Sequence, residues 1–153
     1  MSRQPGGFLR AAVAVGVLAV AGRAAAQGDL PVAELDPHFK GGKEGHAYTL
    51  AMLELGMRMG AATTAALRED RDRALAALKA FREQNAAVGK LVPSWKEQFR
   101  GAAIAELEAA VNAKADLAAR RKIVARIEKS CTACHARYMF PVQARYRWGN
   151  FAD

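Results

Sequence analysis

The residues best suited to chemistry lie together near the end of the chain. Cys131 and Cys134 are its only cysteines, and His135 follows directly. Two thiols three residues apart face the same side of a helical turn, so both can reach the vinyl groups on one edge of a porphyrin, with the imidazole beneath the iron. C-x-x-C-H is the pattern of c-type haem attachment. It predicts one covalent haem c on the two cysteines, with His135 as the proximal iron ligand.

Other uses of a cysteine pair are weaker alternatives. An exported chain with two cysteines could form one disulfide. A thioredoxin-type dithiol lies at the start of a helix in a βαβ context, whereas this pair comes late in a helical run without strand signals. A structural zinc site needs four ligands, and the sequence offers no second Cys/His pair. Haem attachment is therefore favoured, with zinc and a dithiol switch as the alternatives.

The elements that must position this motif are helical. After a lead-in over 27–42 that is expected to be irregular, apolar residues recur at helical spacing in an alanine- and leucine-rich sequence. Four amphipathic helices are predicted, and their short connections are typical of antiparallel neighbours. The first two cover 43–67 and 70–88, after which Gly89 and Pro93 break the pattern.

Capping signals predict where the last two helices begin. Ser94 and Glu97 have the S-x-x-E form of a capping box, which predicts a third helix from Ser94. Asp116 is the predicted N-cap of the fourth helix, and Pro141 is expected to end or kink that helix. The fourth helix carries the cysteines on its apolar line, and five basic residues are expected to project away from that line: Arg120, Arg121, Lys122, Arg126 and Lys129.

The beginning of the chain has the features of an export signal. Arg3 and Arg10 precede an apolar run from Ala11 to Ala21, and small residues at 24–26 suit a signal peptidase. The run is too short to span a bilayer, although an uncleaved anchor is the alternative. The sequence therefore predicts a signal peptide over 1–26, a single domain over 27–153 without a membrane span, and a periplasmic location.

Charge and motif content bear on partners. Loss of the signal peptide leaves 20 basic and 15 acidic residues, so the net charge falls from +8 to +5. This excess favours acidic redox partner proteins, and the basic and aromatic residues do not alternate as they do in proteins that bind nucleic acid. The sequence contains no Ser/His/Asp arrangement, paired-acid motif or phosphate loop, so an enzyme is not expected.

The chain resembles the class II cytochromes c, which comprise cytochrome c′ and its low-spin relatives. The likeness is carried by CTACHARY at 131–138, by Pro93, Trp95 and Phe99 in PSWKEQF, and by Met52, Gly56 and Met59 in MLELGMRMG. The resemblance implies an all-α, antiparallel four-helix bundle that encloses one covalent haem and carries C-x-x-C-H in its last helix. The chain departs from the family at Met139, where a basic residue is frequent.

The resemblance also concerns the second axial position of the iron. In this family a methionine of the first helix gives a six-coordinate electron carrier, whereas a vacant apolar pocket gives a high-spin form that binds small gases. Met52 is the candidate distal ligand. Met59 lies two turns along the same face and Met57 faces elsewhere, while His38 and His46 are expected to be solvated. The expected function is a periplasmic one-electron carrier, with a module that binds NO or CO as the alternative and a homodimer as an open possibility.

Overall fold

The structure, a computed structural model, describes residues 30–39, 47–68 and 70–148. These residues form α1 (Val32–Phe39), α2 (Ala47–Ala66), α3 (Arg71–Leu91), α4 (Ala102–Asn112) and α5 (Leu117–Gln143). A 3₁₀ segment (Pro93–Phe99) joins α3 to α4, and a π-helical turn (Ala144–Trp148) follows α5. The all-helical prediction is confirmed for these ranges, which contain no strand. The predicted signal peptide and His46 lie outside the described residues.

The core forms around α3. This helix packs along α2 and also against the 3₁₀ segment and α4, while α4 packs on α5. Leu78, Phe81 and Val88 of α3 and Leu107 of α4 are almost completely buried. Burying a side chain of this size contributes roughly 1.5–3 kcal/mol, so these contacts hold the helices together. No helix of the described ranges is both long and apolar enough to cross a membrane.

Two helices begin at capping aspartates, and the one that precedes α5, Asp116, is the predicted cap. Asp70 precedes α3 and accepts a hydrogen bond from the Arg73 amide at 3.1 Å. Asp116 precedes α5 and accepts one from the Ala119 amide at 2.7 Å. Both bonds satisfy amides that lack a partner within the helix, which is worth about 1 kcal/mol each. α3 also continues past Gly89, whose missing side chain lets Phe99 pack against the helix.

The predicted start of the third helix at Ser94 is wrong, because α4 begins only at Ala102. The amide and hydroxyl of Ser94 both donate to the carboxylate of Glu34 in α1, at 2.9 and 2.7 Å. Glu97 forms an ion pair with the arginine that ends the segment. Both partners of the expected capping box are therefore engaged elsewhere, and 93–99 forms a 3₁₀ segment instead.

The lead-in is not irregular throughout, since α1 forms within it and includes Pro37. Leu35 is fully buried and anchors this helix to the core. His38 Nε2 lies 2.9 Å from the Leu91 carbonyl oxygen. The expectation that His38 is solvated is therefore wrong. The proline and glycine residues in this stretch predicted irregular structure, but long-range contacts stabilise a helix there.

Pro141 does not end the last helix, because α5 continues to Gln143. The π-helical turn after it carries Tyr146, which is buried and stacks on Phe39 of α1 with ring centroids 4.7 Å apart. The Tyr146 hydroxyl donates to Asp36 Oδ1 at 2.7 Å. These contacts with α1 give the end of α5 a tertiary anchor beyond the proline.

Gly101 directly precedes α4 and has φ +69°, a conformation that favours glycine. Gly101→Ala is expected to lower the free energy of unfolding by about 1 kcal/mol, since an L side chain is disfavoured in the left-handed region. Gly60→Ala is the matched control: a Cβ there meets no atom within 4 Å inside α2, so this change should raise stability by about 0.5–1 kcal/mol. Urea unfolding checks both, and equal effects of the two changes would contradict the account.

Candidate functional site

The site lies where α5 faces α2. Cys131 Sγ is 3.6 Å from Met59 Sδ of α2. Cys134 lies one helical turn further along α5 and acts electrostatically on Tyr48, near the beginning of α2. Both thiols are therefore directed toward the same neighbouring helix, as the three-residue spacing predicts. They are not joined in a disulfide.

The surroundings keep both thiols protonated. Burial is the main cause that raises the pKa of the Cys131 thiol, and the carboxylate of Glu128 adds to the effect. Burial also raises the pKa of Cys134, with a further contribution from the neighbouring Cys131. The two cysteines are three residues apart on α5, so their side chains lie on the same side of the helix. In the haem-free chain the two groups are therefore thiols at neutral pH.

His135 has an exposed side chain next to these half-buried thiols. Its position on α5 is four residues after Cys131, so the imidazole lies on the same side of the helix as that thiol. An exposed imidazole is open to coordination. The structure thus brings the three residues of the predicted attachment motif to one side of α5.

The methionines of α2 differ in exposure, as their helical periodicity predicted. Met57 is 61% exposed and faces away from the core, whereas Met52 and Met59 are half-buried and pack against it. It is the sulfur of Met59 that contacts the motif. Met52 lies on the same face, one turn from Tyr48. Met52, the candidate distal ligand, therefore shares the face directed at α5.

An aromatic cluster closes the site at the Cys134 end, and its assembly was not predicted. Trp95 is buried, and its ring centroid lies 4.8 Å from that of Tyr138 and 6.2 Å from that of Tyr48. Burial, with a smaller effect of Cys134, raises the pKa of the Tyr48 phenol. Trp95 and Tyr138 belong to the segments that carry the resemblance to the family. Their contact, however, depends on the packing of α2, α5 and the 3₁₀ segment.

The five basic residues of α5 do not form one free surface. Arg120 donates from its guanidinium to the carbonyl oxygens of Ala66 and Arg68, at 2.8 and 3.1 Å, and so caps the end of α2. Arg126 forms an ion pair with Glu106 of α4. The expectation that all five project away is therefore wrong for Arg120, whose long side chain reaches a neighbouring helix. The exposed basic residues that remain are Arg121, Lys122 and Lys129.

The donor set can be tested against the predicted cofactor. Two thiols free of disulfide, directed to one side, and an adjacent exposed imidazole match what covalent haem attachment requires. A Cβ on Gly56, which lies between Met52 and Met59, would meet no atom within 4 Å, so this part of α2 is open. The described ranges contain no group of three or more His, Cys, Asp or Glu residues suited to a metal ion, so the zinc alternative lacks its ligands there.

Comparison with protein-family models, curated proteins and solved structures found no significant match to this chain. The functional argument therefore depends on the residues of the site and on their geometry.

Proposed function

We propose that the chain is an exported class II cytochrome c that carries single electrons in the periplasm. One haem c would be bonded to Cys131 and Cys134, with His135 as the proximal iron ligand. In this proposal α2, α3, α4 and α5 form the antiparallel four-helix bundle around the haem. The observation that carries the proposal is C-x-x-C-H on α5 with both thiols directed toward α2.

When bound, the haem supplies a ferric/ferrous couple for one-electron transfer. The residues of the chain determine its surroundings. The two cysteines would hold the haem covalently, and His135 would bind its iron. Trp95, Tyr48 and Tyr138 close the adjacent end with apolar rings and limit the access of water. A site held between packed helices changes little in shape during electron transfer, which suits a carrier.

Met52 remains our proposed distal ligand. Vinyl groups lie on the rim of a porphyrin and the iron lies at its centre. A methionine that touches Cys131 Sγ, as Met59 does at 3.6 Å, would therefore lie beside the rim of an attached haem. Met52 lies on the same face of α2 as Met59 but two turns away. It would therefore not lie beside the rim of the haem. This reasoning favours Met52 as the residue that reaches the iron.

A gas-binding module with a vacant distal position is the second candidate. Gly56 favours it, because this exposed position one turn after Met52 carries no side chain that would block the approach of a small ligand such as NO or CO. The two candidates share the same covalent attachment. They differ only in whether a thioether or an external gas occupies the sixth position.

The proposed partner is an acidic redox protein. Arg121, Lys122 and Lys129 are exposed on the helix that carries the haem motif, whereas Arg120 and Arg126 are engaged within the fold. Positive charge near the redox centre would steer an acidic partner toward it.

Covalent attachment is tested by extraction. The haem of the wild-type protein should stay with the polypeptide in acid–acetone, because thioether bonds survive denaturation. Replacing both Cys131 and Cys134 with alanine should leave extractable haem or none. Met57→Leu, a change at an exposed position of α2, should retain the haem as the wild type does. Complete extraction of haem from the wild-type protein would show that the attachment proposal is wrong.

The distal ligand is tested by paired substitutions in the haem-loaded protein. Met52→Ala should convert low-spin ferric haem to high-spin, allow CO to bind the ferrous form and lower the reduction potential, because a thioether favours ferrous iron. Met59→Ala should remove packing beside Cys131 and leave the spin state unchanged. Optical spectra with and without CO measure both. A spin change only in Met59→Ala would assign the ligand to Met59, and a high-spin wild type that binds CO would support the gas-binding candidate.

The basic surface is tested with small redox reagents of opposite charge. Oxidation of the ferrous protein by hexacyanoferrate(III), an anion, should slow as ionic strength rises, while oxidation by a cationic cobalt complex should not. Lys129→Glu should slow the anionic reaction. Lys79→Glu is the control, since it makes the same change in net charge on α3 at a lysine paired with Glu83. Equal slowing by the two variants would mean that net charge, and not the surface of α5, governs the rate.

A further inference from the structure

Sulfur-containing side chains of two helices meet at the α2–α5 contact. Cys131 Sγ and Met59 Sδ are 3.6 Å apart. Cys134 follows Cys131 by three residues on α5, so its thiol lies on the same side of that helix. All three side chains are half-buried. The arrangement therefore combines two potential thiolates and one thioether in a partly desolvated position.

This donor set selects a soft metal ion. Thiolate and thioether sulfurs prefer Cu(I) to the harder divalent ions. At metal–sulfur distances of about 2.3 Å, neighbouring sulfurs of a trigonal site are about 4 Å apart, so the observed separation needs only a small adjustment. A harder ion would need carboxylate or imidazole ligands, and the described residues provide no suitable group of them.

We propose that the haem-free form of this chain binds one Cu(I) ion through Cys131, Cys134 and Met59. On binding, the two thiols release their protons to solvent as two copper–thiolate bonds form, and Met59 adds a neutral thioether bond. No electron is transferred, so the copper must arrive as Cu(I). The site requires only reduced cysteines and does not depend on the proposed haem function. If haem is attached, the same two sulfurs are used in thioether bonds, and the two occupants exclude each other.

The proposal assigns a role to Met59 that core packing does not require. A methionine used only to fill space can be replaced by leucine with little change, because the two side chains have similar volume. A ligand cannot be replaced in this way, because leucine has no donor atom. Met59→Leu therefore separates the two roles without opening a cavity, and Met57→Leu at an exposed position of α2 is the matched control.

The test is an anaerobic competition titration of the full-length, haem-free, reduced protein against the Cu(I) complex of bathocuproine disulfonate. One equivalent of copper should pass to the wild-type protein, and X-ray absorption should show three sulfur ligands. Met59→Leu should weaken binding by at least about tenfold, by comparison with the 10- to 100-fold cost of lesser changes around metal sites. Met57→Leu should bind as the wild type does, and Cys131→Ser should abolish binding, with helical content checked by circular dichroism.

Several outcomes would overturn the proposal. If Met59→Leu binds Cu(I) as tightly as the wild type does, Met59 is not a ligand and only the two thiolates form the site. Tighter binding of Zn²⁺ with nitrogen in the coordination shell would indicate a site that uses His135. Equal uptake of Cu(I) by haem-loaded protein would place the copper elsewhere. A chain that never acquires haem but binds Cu(I) as described would contradict the haem proposal alone, so the two failures are distinguishable.

Discussion

The antiparallel register of α2 against α5 is the constraint on which the candidate site depends. At one end the guanidinium of Arg120 holds the last carbonyl groups of α2, an arrangement that the helix dipole favours. In the middle Met59 touches Cys131, and at the other end Trp95 bridges Tyr48 and Tyr138. A shift of one turn would break the contacts at all three levels. The register therefore decides which methionine lies beside the thiols.

The same register gives the two cysteines a common environment. They lie on one side of α5, half-buried and protonated, while the neighbouring imidazole of His135 remains exposed. The described chain thus presents the residues of the proposed attachment motif together, with both cysteines as free thiols. This readiness has a chemical consequence, because sulfurs that are open to a porphyrin are also open to a soft metal ion. Met59 favours the metal ion over the porphyrin in this comparison, because its own sulfur lies beside the Cys131 thiol.

Local interactions were the part of the fold that could be predicted from sequence. Asp116, the predicted cap, bonds to the amide three residues away, and such a short-range bond leaves a clear signal in the sequence. Ser94 shows the limit, because its partner Glu34 is 60 residues away and overrides a well-formed capping box. His38 and Arg120 differ from expectation for the same reason, as each bonds to a distant carbonyl group. For the site, spacing alone predicted that the two thiols share a side, whereas the contact with Met59 depends on tertiary packing.

The most direct test of the central claim is the intact mass of the purified protein, measured under denaturing conditions. The account predicts one main species that has lost the residues of the signal peptide near Ala26 and gained the mass of a single haem. Denaturation removes any cofactor that is held only by folding, so the added mass reports covalent attachment. A mature chain without that added mass would contradict the account.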